Sequence, residues 1–458
     1  MFSLMKIKDN WEYRMIKERN IKQSNSITAA LIRFSLPLIL SGIMQQLYSW
    51  ADAFIVGNVE GEIAIAAIGS TTTVINFLVL AITGFALGLN ILFAQKYGAG
   101  DCEYLPRLLS SFAIVSGVVF TALSILGYCF SSQLLGLMNT TPETINLAGD
   151  YIRIVFAGVP FLAVYNAYSA ALRGIGDAKA PFYAVLISAI LNVVLDVLFV
   201  AVLHCGVQGA AFATAASQIV MTAFIVIYTI RRHSIFRFSM RKKLFDFSVM
   251  YDGIRFGIPP MIQSSITAVG ALLLQNFMNG FGTQTVAAIT SAYRVDSIIL
   301  LPIINLGSGI STVVAQNYGA GNLKRAKKAL RVGVVLMTAV SAVISIIVIP
   351  TGGYLISIFG VSKPVVNIGR SFFAGIACFY VVYGLAMAVR GYIEGVGDIM
   401  YSSIAGILSL FVRIAASYAF ADVCGNMIIA YAEGLSWCFM LVLYAARLIW
   451  LRYKPVKS

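Results

Sequence analysis

The sequence predicts an all-α polytopic membrane protein with twelve transmembrane helices in two parallel six-helix repeats. Three observations carry that expectation. Charged residues make up 11% of the chain and hydrophobic ones 59%, where a soluble protein has about 25% charged. Apolar stretches of roughly 20 residues, long enough to span a bilayer, recur along the whole length. The chain also echoes itself at one constant spacing of 221 residues. Ala94-Gln95-Lys96-Tyr97-Gly98-Ala99-Gly100 returns as Ala315-Gln316-Asn317-Tyr318-Gly319-Ala320-Gly321. Leu172-Arg173-Gly174-Ile175-Gly176-Asp177 returns as Ile393-Glu394-Gly395-Val396-Gly397-Asp398, and Ala66-Ala67-Ile68 as Ala287-Ala288-Ile289.

Apolar windows place helices near 33–56, 63–95, 107–130, 146–171, 178–202 and 208–230 in the first half. The second half has them near 254–277, 284–316, 329–350, 366–389, 400–421 and 427–449. The charged start of the chain leads directly into a full spanning helix, so no cleavable signal peptide is expected. The second and eighth helices are long and polar-spotted, which favours tilting or kinking. Both end in Tyr-Gly-Ala-Gly, where glycine supplies a left-handed C-terminal cap. Gly-x-Gly-Asp at 174–177 and 395–398 joins helix four to five and ten to eleven. No strand precedes these glycines, so they are turn residues rather than a nucleotide loop.

An even number of helices per repeat returns the chain to its starting face, which makes the repeats parallel. The expected organisation is a cytoplasmic tail at 1–28, a first lobe at 29–232, a cytoplasmic linker at 233–250, a second lobe at 251–450 and a tail at 451–458. From His233 to Phe247 the linker interleaves aromatic and basic residues. That pattern suits an amphipathic segment on the inner leaflet, or equally a plain loop.

The net charge of +14 is distributed unevenly between the two sides of the membrane. With a cytoplasmic N-terminus, 28 of the 33 Lys and Arg lie in cytoplasmic segments or at their helix ends. This is the positive-inside pattern, with both termini cytoplasmic in a multi-pass cell-membrane protein. It argues against nucleic acid as a partner and leaves anionic lipid headgroups as incidental ones. The chain is read as monomeric. The six cysteines have no CxxC pair or metal spacing and are expected to be free buried thiols. Cys205 and Cys424, at corresponding outer ends, are the one alternative pair.

Ionisable groups at membrane depth point most directly to function, since one Asp near a helix centre costs about 2.5–3.5 kcal/mol. Asp52 lies toward the outer half of helix one. In helix five, Ser188, Asn192 and Asp196 are spaced four apart and share one face. Thr214 adds a hydroxyl at similar depth in helix six. Carboxylate, amide and hydroxyl oxygens suit a hard cation or a proton. The structural alternative is that Asn192 and Asp196 bond neighbouring helices. The repeat supplies a control, because the counterparts of Asp52, Asn192, Asp196 and Thr214 are Leu273, Arg413, Ser417 and Leu435. The second lobe carries its own charged set of Arg294, Asp296 and Arg413, with Arg370 nearby. Asp296 is the expected partner of an internal Arg, either as a structural salt bridge or as a coupling relay. Gln45, Gln46, Tyr48, Gln263, Tyr380 and Tyr383 offer polar and aromatic surface for a substrate pocket, which some of the fifteen Met could make adaptable.

These residues together resemble the multidrug and toxic compound extrusion (MATE) family. The resemblance rests on the paired Gln-x-Tyr-Gly-Ala, Arg-Gly-x-Gly-Asp at 173–177, Asp52 to Gly57 as Asp-x-x-x-x-Gly, and Asn-x-x-x-Asp at 192–196. It covers nearly all of 30–450. It implies a V-shaped pair of bundles that exports amphiphilic, often cationic compounds by alternating access in exchange for Na⁺ or H⁺, with no cofactor and no enzymatic activity. It further implies a first-lobe cation site at Asp52, Asn192, Asp196 and Thr214. A second-lobe site of acids in helices seven and ten is not carried over, since neither helix shows an internal acid. The alternative on a related scaffold is export of lipid-linked saccharide precursors, for which Arg294, Arg370 and Arg413 could bind pyrophosphate. An intramembrane enzyme is disfavoured, because there is no HExxH or aspartate-rich motif and His204 and His233 lie in turns.

Overall fold

The structure is a computed structural model that describes residues 26–138, 140–236 and 245–453. Among these, eleven helices are long and apolar enough to cross a membrane, and a bent pair makes a twelfth span. The chain is therefore a multi-pass membrane protein. The first six spans are α1 Ile27–Glu60, α2 Glu62–Ala99, α3 Tyr104–Cys129, α4 Ile145–Gly174, α5 Lys179–Val202 and α6 Gly206–Arg232. The second six are α7 Phe247–Asn279, α8 Thr283–Gly319, α9 Leu323–Ser357, α10 (Lys363–Ala377 and Tyr380–Gly395), α11 Ile399–Ala419 and α12 Ile428–Tyr453. Most of these run several residues beyond the apolar windows, because the hydropathy signal stops at the membrane edge while the helical hydrogen bonds do not. A short helix, Ser131–Leu137, lies between α3 and α4 and had no counterpart in the sequence reading.

Two of the spans are interrupted. α8 breaks at Leu300, between Thr283–Ile299 and Leu301–Gly319. Pro302 opens the second piece, and its missing N–H and bulky ring account for the break. Scattered polarity was the signal read for a kink, yet α2, equally long and polar-spotted, is continuous. α10 bends by 47° between Ala377 and Tyr380 with no proline at the break. There the Ser345 hydroxyl of α9 donates to the Ala377 carbonyl at 2.6 Å, at the point where the helix bends.

The chain packs as two units whose borders differ from those expected at 28/29 and 233–250. Leu40 to Gly257 form one unit; Ile258 onward forms the other together with α1 up to Ile39. The borders fall inside α1 and α7, close to Pro37 and to Pro259-Pro260. Prolines loosen a helix at those points. Ile32-Arg33-Phe34 before Pro37 recurs as Ile254-Arg255-Phe256 before Pro259, so both helices change allegiance at the same repeated motif. In the second unit Ile27 and Leu31 join Ile303, Ile310, Ile376 and Tyr444 in one core. In the first unit Phe93, Leu105, Leu108 and Val249 form the core nearest the basic loops. Val56, Tyr151, Val200 and Val207 form another.

Each Gly-x-Gly-Asp turn is a latch. Gly176 and Gly397 take φ of 95° and 97°, a region side chains avoid. Asp177 accepts from the Lys179 and Ala180 N–H groups at 3.2 Å each and pairs with His233 Nε2 at 2.9 Å. Asp398 pairs with Arg447 at 2.6 Å, and that guanidinium stacks on Trp450 at 3.9 Å. Each lobe thus ties its middle turn to the end of its sixth helix. The other glycine motif behaves similarly, with Gly100 and Gly321 at φ of 82° and 73° after α2 and α8.

Of the linker, Ser234–Phe236 forms a short helical turn that buries Phe236 edge-on against Phe93. The basic run at 237–244, where an amphipathic segment was expected, lies outside the described residues, as do most of both tails. All six cysteines are free. They are not buried as expected, because Cys129, Cys205 and Cys378 sit exposed at helix ends or breaks.

Two predictions follow from the latches. Placing a Cβ at φ of 97° with Gly397→Ala should cost about 1–2 kcal/mol, read as a lower thermal midpoint of the purified protein. At Asp177 burial opposes charge, but hydrogen bonds from His233, the Ala180 N–H and Tyr228 outweigh it and hold the carboxyl below its ordinary 3.8. Its contribution is therefore present above 3.8 and lost as pH falls through the lower folded value. Acid titration of thermal stability should show a shallower decline below pH 3.8 for Asp177→Asn than for the parent.

Candidate functional site

Asp52 and Asp196 meet inside the first unit. Ser188, Asn192 and Asp196 do share one face of α5, and all three are buried, Asp196 completely. Across from them, α1 brings in Asp52, whose carboxyl approaches that of Asp196 closely enough to interact directly. The two do not close a regular hydrogen bond. Both oxygens of Asp196, one oxygen of Asp52 and both polar atoms of the Asn192 amide are buried with no hydrogen-bond partner. Buried polar atoms are nearly always satisfied, so five orphans around one point are a strong anomaly. Neither Asn192 nor Asp196 makes the side-chain bond to a neighbouring helix that the structural alternative requires. Tyr151 of α4 lies near both carboxyls and near Thr214 of α6.

Tyr151 was missed by the sequence reading, because nothing in its local pattern separates it from a core tyrosine. The π-helical turn Val197–Val202 was missed as well. It begins directly after Asp196 and widens α5 there, a local feature frequent at functional sites. The arrangement is donor-poor and oxygen-rich, and it carries two carboxyls in low dielectric. It fits a bound cation, or a proton shared by the pair, in a way it does not fit an anion.

In the second unit a buried network differs from the one expected. Arg294 is exposed and takes no part. Asp296 instead accepts a short hydrogen bond from Tyr380, and Arg413 donates to Glu433 and Tyr293 at 2.8 Å each. Glu433 was overlooked, although an acid within the apolar window 427–449 was a readable signal. Helix ten also holds a buried acid after all. Glu394 pairs with Arg390 at 2.7 Å and accepts from Ser402 at 2.8 Å, hidden from the sequence reading because it belongs to a repeated turn motif.

The residues offered for a substrate pocket are scattered in role. Gln45 is exposed, while Gln46 and Tyr48 are half-buried, Tyr48 close to Asp52. Gln263 accepts from Arg390 at 3.1 Å, so it is an internal link in the second unit. Tyr380 is fully buried on Asp296 and is core, not pocket wall. Tyr383 is half-buried, with its ring 4.6 Å from Trp437. The three arginines that suggested pyrophosphate binding do not converge, since Arg294 and Arg370 are exposed and Arg413 is committed to Glu433.

Comparison with known proteins follows the same two-fold pattern. The MatE family model matches the chain twice, over residues 37–198 and 259–419. The chain belongs to the MatE family. The two matches begin close to Pro37 and Pro259, so the family unit coincides with the internal repeat. Among curated MatE-like relatives, the chain is 28% identical to a probable multidrug resistance protein, YpnP, of Bacillus subtilis, over 93% of this chain and 95% of that one. It is 24% identical to the multidrug export protein MepA of Staphylococcus haemolyticus, over 82% and 83%. Among solved structures it resembles an outward-facing multidrug resistance MATE family transporter of the MOP superfamily. The TM-score is 0.87 at 22% identity, covering 94% of this chain and 98% of that one. A MOP superfamily transporter from Pyrococcus furiosus, described by the reverse polarity of its binding pocket, gives 0.85 at 22% identity over 94% and 96%. The MatE fold of this chain is thus established independently of its site.

If Asp52 and Asp196 repel as bare carboxylates, removing one charge should relieve the structure. In sodium-free alkaline buffer, Asp52→Asn should raise thermal stability by on the order of 1 kcal/mol. An unchanged or lowered midpoint would contradict the repulsion.

Proposed function

We propose that this MatE protein is a cation-coupled exporter of amphiphilic, cationic organic compounds. It works by alternating access and takes up Na⁺ or H⁺ in exchange. The membrane is the cell membrane, and the distribution of Lys and Arg favours cytoplasmic termini. Support for export comes from relatives named for multidrug resistance and multidrug export. The observation that carries cation coupling is the orphaned cluster of Asp52, Asn192 and Asp196.

In this reading the cation enters between the two carboxyls, with the Asn192 carbonyl and Thr214 hydroxyl as further oxygen ligands. A proton would serve the same pair by bridging them. Either ligand cancels the repulsion and draws α1 toward α5. Because α1 carries Pro37 and the Gln45-Gln46 stretch, it bends more readily than an uninterrupted helix. The bend shrinks the space available to the exported compound, so cation and compound favour different conformations and each displaces the other.

The test is efflux of a cationic dye such as ethidium from proteoliposomes, with a Na⁺ gradient and a pH gradient imposed separately. One of the two should drive efflux. Asp52→Asn and Asp196→Asn should each abolish the driven component, with elution profile and thermal midpoint showing a folded protein. Full driven efflux by both variants would overturn the proposal.

A further inference from the structure

The pseudo-symmetric counterpart of the first-unit cluster is occupied by a charge that belongs to the protein. Arg413 stands at the repeat position of Asn192, and Ser417 at that of Asp196. The Arg413 guanidinium is held by Glu433 and Tyr293 at 2.8 Å each. Glu433 is 7% exposed. A second carboxyl, Asp296, is 4% exposed and faces the same pair. One acid therefore holds the fixed cation, and a second, hydrogen-bonded to Tyr380, lies near the pair. Around Asp296 the facing groups are Tyr380 and Tyr383 from α10, Arg413 from α11 and Glu433 from α12, with Tyr293 on its own helix. None of these adds a second positive charge. Arg294 is exposed, and Arg390 is paired with Glu394.

We propose that the second unit holds a proton site of its own, in which Asp296 carries one proton beside the Arg413–Glu433 pair. With both acids ionised the cluster would keep one uncompensated negative charge at membrane depth, at a cost of about 2.5–3.5 kcal/mol. One proton removes it. The proton resides on Asp296 because Glu433 already holds the guanidinium. Na⁺ is a poor substitute, since Tyr380 and Arg413 present donors and a fixed positive charge where a metal would need oxygen lone pairs. The proton-bearing residue also sits where movement can be driven. The Asp296 carbonyl accepts from the Leu300 N–H at the break of α8, and Tyr380 opens the second piece of α10 directly after its bend. The Asp296–Tyr380 hydrogen bond therefore joins two helix breaks, and loss of the proton alters the contact between them.

This site is separate from the first-unit cluster, so its test is made with that cluster silenced and without transport. The full chain carrying Asp52→Asn and Asp196→Asn is reconstituted in lipid, and infrared spectra are recorded from mildly acidic to mildly alkaline pH. A protonated-carboxyl band should remain at neutral pH. Adding Asp296→Asn should remove it. Adding Glu433→Gln should also remove it, because Arg413 then neutralises Asp296 directly. Adding Arg413→Gln should raise the band about twofold, since two acids then need protons. If Asp296→Asn does not fold, the Glu433→Gln and Arg413→Gln arms decide alone. No band in the silenced background, or one that ignores these charge changes, would overturn the inference.

Discussion

A charge buried in hydrocarbon has to be neutralised where it sits, and the polar interior of both units is arranged around that requirement. The bilayer offers no water to share the load. Hydroxyls accordingly turn back on their own helices, as Thr229 does to the Ile225 carbonyl at 2.6 Å and Ser341 to the Met337 carbonyl at 2.7 Å. Ion pairs close at short range, as between Arg390 and Glu394. The five unpartnered atoms of Asp52, Asn192 and Asp196 are informative because they gather in one cluster, while the other unpartnered buried atoms occur one to a residue.

The two units meet the requirement in opposite ways. The first leaves two carboxyls facing each other, with no protein cation among the described residues in hydrogen-bond reach. The second carries a tethered cation, Arg413, at the repeat position of Asn192 and satisfies it with Glu433. A guanidinium cannot leave, so that position keeps its charge permanently. The remaining acid, Asp296, is buried and bonded to Tyr380. Duplication supplied two equal scaffolds, and substitution at one repeat position gave them different electrostatic tasks.

The scaffold itself is held by features that recur. Gly176 and Gly397 turn the chain in the same way, and Asp177 and Asp398 latch the turn to the end of the sixth helix. The partners differ, His233 in one unit and Arg447 in the other, so geometry is conserved between the repeats while chemistry is not. Pro37 and Pro259 mark where α1 and α7 pass from one packing unit to the other. Pro37 lies on the same helix as Asp52.

Periodic and compositional features were legible in the sequence because they depend on residues near one another in the chain. Twelve apolar windows, the glycine turns and the Ser188–Asn192–Asp196 face all follow from hydropathy, backbone conformation and the 3.6-residue turn. The repeat even exposed the asymmetry, since Arg413 and Ser417 could be set beside Asn192 and Asp196 by counting. Partnership across helices was another matter. Pairing Asp296 with Tyr380 and Arg413 with Glu433 depends on how α8, α10, α11 and α12 rotate about their axes. Hydropathy says that a helix is apolar without saying which neighbour its few polar groups meet. The breaks at Leu300 and Cys378, and the π-helical turn after Asp196, arise from Pro302, from Ser345 and from packing. Local sequence alone determined the elements, their order and the candidate acids. Tertiary structure decided which acids are left unsatisfied, because satisfaction is a property of neighbours brought together only by folding.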